Sequence, residues 1–520
     1  MHALDIAVIL VYLLALVGVA LRTAGRQHTT QRYFVAERSI PGWAAGMSLL
    51  ATIITSVTFI AYPGAAYAGN WNLLVPGIFF LLVITAIGPV IVPFFRHTVS
   101  MSVYEYFGKR FGNGVRFYTA FTFALGHFSK MGFVFYLLAL SVSGITGWPI
   151  AAVIFVLGGI TIVYTLLGGL EAVIWTDVIQ GFVLWTGVVV TIALLLFSPR
   201  VHSGAMLHLI AGSHKTSLGS MHFNLALPTF WTLALYGLFF YLQKFTTDQT
   251  VVQRYLAART DRQALRGAML GAALCLPAWT AFMLIGSLLW AFYRITALAL
   301  PSSITRPDQV FPHFMVTQMP IGIAGLFLAA LFGAAMSMLA SDLNCLAVIL
   351  VHDFYETIVP GRPDKSLLRL GKLSIAICGA LAMAVALRLA HTQGSALALY
   401  YTITAIVAGG LAGLFLLAFL LPRAGRAAAL LGIAINLIFT AWATLTMNHG
   451  AQFNLHRWNY PWHEYTIGAV GNLLLLAVAA IAAPLLPRSL SSQPPLTLWS
   501  WLASRNTPTS HLVIAGELSQ

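Results

Sequence analysis

Residues 149–197 read PIAAVIFVLGGITIVYTLLGGLEAVIWTDVIQGFVLWTGVVVTIALLLF, and the only charged side chains in this run are Glu171 and Asp177. A helix needs about 20 apolar residues to cross the roughly 30 Å hydrocarbon core of a bilayer. The run is long enough for two crossings, and Gly168-Gly169 offers a place to turn between them. A barrel strand would instead show about ten residues of alternating polarity, a pattern missing here. The stretch therefore predicts two membrane helices, at 149–168 and 172–197.

Working outward, the same signal recurs near 5–21, 42–68, 73–95, 115–146, 228–255, 266–294, 319–352, 369–390, 396–421, 426–447 and 465–487. Composition agrees. The chain is 59% hydrophobic and 8% charged, against about 25% charged for an ordinary soluble domain. Most of its surface must face lipid. The expected fold class is an all-α polytopic membrane protein of about thirteen transmembrane helices, numbered 0 to 12 because the first looks peripheral. The Met-His-Ala-Leu-Asp start lacks the basic segment of a signal peptide, so that helix is expected to be retained.

Loop charge gives an orientation. With the N-terminus outside, twenty of the 28 lysines and arginines fall in inner loops and six in outer loops; Lys130 and Lys244 lie within spans. Cytoplasmic loops carry the excess of basic residues, so the C-terminus is expected in the cytoplasm and the whole chain in a bacterial-type inner (plasma) membrane. The formal net charge of +14 is explained by those loops and calls for no nucleic acid partner. Cys275, Cys345 and Cys378 lie in apolar helices and read as small packing residues. Trp458, Tyr460 and Trp462 suit an interfacial aromatic belt.

Ionisable groups at membrane depth are costly and tend to face cavities. Asp177 reads either as a cation-binding or gating carboxylate or as a helix-end acid near the interface. Asp342 lies deeper, beside Ser337, Ser341 and Asn344, which share one helical face. That stripe reads as a hydrophilic pathway or as interhelical hydrogen bonding. Lys130 sits mid-span and requires an anion, from the protein or from a solute. His127, one turn earlier, reads as packing. Lys244 either lines an inner gate or snorkels to the cytoplasm. Ala51-Thr52-Ile53-Ile54-Thr55-Ser56-Val57-Thr58, followed by Pro63-Gly64, is a helix easily interrupted, and interrupted helices free carbonyls that coordinate ions. No phosphate-binding glycine loop, zinc-spaced His/Cys set or nucleophile elbow occurs. The histidines lie mostly in loops and form no intramembrane catalytic cluster with acids, so an enzyme is not expected.

Three segments carry a family resemblance. They are Tyr164 to Gln180, Asp248 to Ala257 (DQTVVQRYLA), and Ala334 to Asn344 with Asp353-Phe354-Tyr355. With Thr58 to Gly64 they make the chain, over roughly residues 1–445, resemble the sodium:solute symporters, which include galactose, proline and sialic-acid carriers. The resemblance implies a leucine-transporter-type core of two inverted five-helix repeats at 42–197 and 228–421. Residues 1–41 would hold peripheral helix 0 and the first inner loop, 198–227 an outer loop, 422–487 helices 11 and 12, and 488–520 a tail. It implies sodium as coupling ion, no other cofactor, and solute import by alternating access.

The family's cation ligands carry over to Ala51, Ile54, Ala334, Ser337 and position 338. The last is Met338 here, whose thioether is a poor ligand for a hard cation. Asp177 and Ser341 match a second cation position, at which Ala340 is bare, and Asp342 adds a charge. Lys130 matches the place of a carboxylate-clamping arginine, and Thr55 and Thr58 match polar positions of the sialic-acid branch; Lys244, from its place in the span, is counted with them as a candidate solute residue. Near Leu73–Gly77 no polar side chain offers itself to a sugar. The implied solute is a small organic anion, carboxylate or sialic-acid-like. Met338 and Asp342 keep open a proton-coupled or sodium-independent carrier on the same fold, a sugar symporter, or a transporter-like sensor.

Overall fold

The computed structural model describes residues 2–302, 304–320, 322–391, 409–447, 453–486 and 496–506, and in these the regular structure is all helical apart from one isolated bridge between Ile40 and Ala258. The long elements are α1 (Ala3–Ala24), α2 (Gly42–Ile53), α3 (Ser56–Ala68), α4 (Leu74–Thr98), α5 (Asn113–Thr146), α6 (Ile150–Leu196) and α7 (Phe230–Thr246). They continue with α8 (Gln249–Ala257), α9 (Asp261–Thr296), α10 (Ile323–Val348), α11 (Asp364–His391), α12 (Leu411–Leu420), α13 (Arg426–Thr446) and α14 (Tyr465–Ala482). Among the described residues nine helices are long and apolar enough to cross a membrane, and α2 with α3 form a tenth span bent by 60°.

The two spans expected at 149–168 and 172–197 form the single run α6, broken at Gly169, where φ is +54° and ψ is −153°. Only glycine adopts that conformation readily. The Tyr33 carbonyl packs against it, and a Cβ there would stand 2.6 Å from that oxygen. The span expected at 228–255 divides at Asp248 into α7 and the short buried α8. The reading at 396–421 lies partly outside the described residues; its end is α12.

Glycine also sets how closely the central helices meet. Gly46 of α2 and Gly271 of α9 each bring backbone against backbone, with a Cβ on Gly271 2.8 Å from the Gly46 carbonyl. Small residues permit such approach where no solvent drives association. Helix α10 is the most enclosed span: every residue from Phe327 to Val348 is buried. Outside it, Leu14, Phe155, Phe182, Ile438 and Ile481 are exposed on helix faces, as a lipid-facing surface requires.

The break between α2 and α3 has a local cause. The Thr55 and Thr58 side chains cap α3 reciprocally: the Thr55 amide donates to Thr58 Oγ1 at 3.4 Å and the Thr58 amide to Thr55 Oγ1 at 3.5 Å. In an unbroken helix those two amides would bond the carbonyls of Ala51 and Ile54. Instead both carbonyls are released, and no amide of residues 55–58 donates to carbonyls 51–54.

Two buried charge clusters around the broken helix

The first cluster centres on Asp177 of α6, which is fully buried. Its carboxylate accepts from Ser48 Oγ of α2 at 2.5 Å, from Ser337 Oγ of α10 at 2.5 Å and from Arg254 Nη2 of α8 at 3.2 Å. Arg254 is 1% exposed. It donates further to Ser48 Oγ at 3.0 Å, to the Thr250 carbonyl at 2.5 Å and to Ser341 Oγ. The acid at 177 thus faces a guanidinium built into the chain. Ser337 and Ser341, on the stripe read from the sequence, bond within this cluster, and Asn344 accepts from Gln253 at 2.8 Å.

The second cluster lies between α5, α7, α8 and α10. His127 Nδ1 is 2.7 Å from Asp342 Oδ1, and its Nε2 is 3.3 Å from Asp248 Oδ2. Lys130 Nζ stands 3.7 Å from Asp342 Oδ2. Lys244 pairs with Asp248, whose other oxygen accepts from the Thr250 amide at 2.9 Å and the Thr250 hydroxyl at 2.5 Å. Phe123 stacks on the His127 ring with centroids 3.9 Å apart. Lys130 is the accessible member, its side chain 35% exposed while that of Asp342 is fully covered.

Several expectations change here. His127 is not a packing residue; it bridges two acids. A histidine–acid cluster does exist at membrane depth, assembled from residues 127, 248 and 342 that no local spacing relates. Asp342 turns to Lys130 and His127, and none of its hydrogen bonds among the described residues goes to Ala51, Ile54, Ala334, Ser337 or Ser341. Thr55 and Thr58 act on the backbone, as caps. Lys244 serves Asp248. Arg254 and Asp248 were visible only as parts of a motif; the signal that could have found them was the need of two buried acids for buried partners.

Below both clusters the Asp248–Arg254 segment is tied down. Gln249 accepts from the Val103 amide at 2.9 Å and donates to the Met101 carbonyl at 2.7 Å. Tyr104 donates to the Thr247 carbonyl at 2.9 Å, and Arg96 to the carbonyls of Tyr255, Leu256 and Ala258. On the other side of the helix break, a cavity of about 460 Å³ is lined by Ser56 and Ile60 of α3, Leu137 and Ser141 of α5, and Arg306 and His313 of the segment between α9 and α10. Its floor reaches Ser56, the residue directly after the helix break.

The sodium:solute symporter family profile matches residues 33–436. The chain is 30% identical to the sodium/sialic acid symporter NanT of Aliivibrio fischeri over 92% of its own length and 93% of that protein's. It is likewise 30% identical to the sodium/sialic acid symporter SiaT of Proteus mirabilis, covering 93% and 95%. A solved structure of a Na+-coupled sialic acid symporter in a substrate-bound outward-open state is similar with a TM-score of 0.85 at 29% identity, over 94% of this chain and 99% of that one. This integral membrane chain belongs to the sodium:solute symporter family.

Proposed function

We propose that this protein is a sodium-coupled symporter that imports a small organic anion by alternating access. The observation that carries the reading is the release of the Ala51 and Ile54 carbonyls at the α2–α3 break. Freed carbonyl oxygens suit a hard monovalent cation. Sodium is held there with the Ala334 carbonyl and the Ser337 hydroxyl, and Met338 contributes no oxygen. Lys130 receives the carboxylate of the solute. Its Nζ is ion-paired with Asp342 at 3.7 Å, and its side chain is partly exposed, so it can turn to an incoming anion. A sialic acid, the solute named for the relatives, is the first candidate. The similarity to an outward-open relative and the cavity ending at Ser56 support an outer access route.

Thirteen spans in a five-plus-five inverted arrangement, with the N-terminus outside and the C-terminus in the cytoplasm, complete the reading. Purified protein in liposomes should accumulate labelled N-acetylneuraminate or another carboxylate from a test panel under an inward sodium gradient. Uptake that persists unchanged when sodium is replaced by choline removes sodium from the reading. Lys130→Ala should abolish uptake of the anion. An unaltered affinity in that variant removes Lys130 from the solute site.

A further inference from the structure

Where α12 ends and α5 and α13 begin, three arginines meet without a carboxylate. Arg110, on the short helix Tyr104–Phe111, donates from Nε to the Ala418 carbonyl at 3.2 Å and from Nη2 to the Leu421 carbonyl at 2.7 Å. It thereby reaches the end of α12. Arg423 follows two residues after Leu421 and is exposed. Arg426, the first residue of α13, is exposed as well, and its guanidinium lies over Gly114 of α5, where a Cβ would stand 3.1 Å from Nη2.

The acids of the inner loops are committed elsewhere. Glu37 and Glu171 pair with Arg32, Asp261 with Arg96 and Asp353 with Arg116. Glu105 and Glu356 both hold His352, and Asp364 accepts from Thr30. Glu517 lies outside the described residues. Among the described residues, then, no acid offsets Arg110, Arg423 or Arg426. A guanidinium stays charged at every pH the protein meets, and its planar fork fits a phosphate with two parallel hydrogen bonds.

The surroundings select the kind of anion. Arg426, Leu430, Ala434 and Ile438 lie on one ridge of α13 at intervals of four residues, and all four are exposed. Charge at the end of the helix therefore runs into an apolar strip along it. Beside the arginines, Trp499 of the short helix Leu498–Asn506 donates its indole N–H to the Leu420 carbonyl at 2.8 Å and leaves its ring exposed. An exposed indole of this kind sits at the level of lipid headgroups. A dissolved anion would use the arginines alone. A phospholipid uses the arginines, the indole and the strip together, and basic pockets between helix ends on the inner side suit acidic headgroups.

We propose that Arg110, Arg423 and Arg426 bind the phosphate of an anionic phospholipid whose acyl chain lies along Leu430, Ala434 and Ile438. The position is separate from both buried charge clusters and independent of the solute and of the coupling ion.

Full-length protein released from nanodiscs of equal parts phosphatidylglycerol and phosphatidylcholine, and read by native mass spectrometry, should retain phosphatidylglycerol in preference. An arginine near an anionic headgroup is worth about fivefold in affinity, so Arg423→Gln/Arg426→Gln should lower that preference by about tenfold or more. Arg457→Gln, in an outer loop, should leave it unchanged. In phosphatidylcholine nanodiscs, adding phosphatidylglycerol should raise the unfolding temperature of the wild type, and inorganic phosphate at matched ionic strength should not. Equal retention of the two lipids by the wild type overturns the site, whether or not the double variant folds. An unchanged preference in a folded double variant does so too. Stabilisation by inorganic phosphate equal to that by the lipid overturns the lipid assignment. A preference that appears only in Glu517→Gln would mean that this carboxylate occupies the arginines, and the site would fall.

Discussion

At the residue scale, the buried acids show how an intramembrane charge is tolerated. Asp177 is held by Ser48, Ser337 and Arg254. Removing Arg254 would leave a buried, unmatched carboxylate, which costs about 3–5 kcal/mol. Arg254→Met should therefore lower the thermal unfolding temperature sharply, and Asp177→Asn in the same chain should restore part of it. An Arg254→Met protein that unfolds like the wild type would show that the pair supports little. A second residue works outside the membrane spans. Glu105 accepts from the amides of Ser100, Met101 and Ser102 at 2.9–3.0 Å and lies 2.8 Å from His352 Nε2. Burial alone would raise its pKa; His352 and the Met101 and Ser102 amides outweigh that and hold it below the usual carboxyl range. A carboxyl whose folded pKa is depressed contributes stability present above its unfolded pKa of about 4.3 and lost as pH falls further. Thermal stability should drop below about pH 4 in the wild type and less steeply in Glu105→Gln, as read by unfolding scans across acidic buffers. Equal slopes would remove Glu105 as the sensor. Lys130 and Asp342 were legible as costly groups in need of partners. Their pairing was not, because it depends on helices 215 residues apart for His127 and Asp342.

At the element scale, hydrophobic length and turn chemistry carried most of the information. The apolar run at 149–197 announced membrane helices, and Gly168-Gly169 marked where they part. What could not be read was the backbone geometry of the seam, a positive φ at Gly169 with the Tyr33 carbonyl packed against it. Gly169→Ala requires a positive φ of an L-residue and a Cβ 2.6 Å from the Tyr33 carbonyl. Strain of this kind costs about 1–3 kcal/mol before any clash is counted. The variant should express poorly and unfold earlier, and a melting profile identical to wild type would show that the seam can rotate freely. The α2–α3 break was legible in its threonines and its Pro63-Gly64, although their role as a reciprocal cap needed the geometry. The stripe of Ser337, Ser341 and Asn344 was correctly placed on one face; its partners come from α6 and α8, which sequence spacing along α10 cannot reveal.

At the scale of the whole molecule, a cavity ends at the helix break while the Asp248–Arg254 segment is bound down on the opposite side. Ser141 lines that cavity. In a background carrying Cys378→Ser, with Cys275 and Cys345 buried, Ser141→Cys should react with a membrane-impermeant maleimide added to intact cells. Labelling only after permeabilisation would reverse the inferred orientation. The thirteen-span count and the repeat boundaries rest on loop charge and apolar length, which report topology but not which helices pair. The guanidinium of Arg254 has an energetic consequence for such a machine. A cation that is covalently part of the chain never leaves it, so the negative charge of Asp177 draws no power from any ion gradient. Solute accumulation inside the cell is then limited to what mobile ions at other positions supply, and the steepest concentration ratio the carrier can sustain is set by their number, their gradients and the net charge moved across the membrane potential.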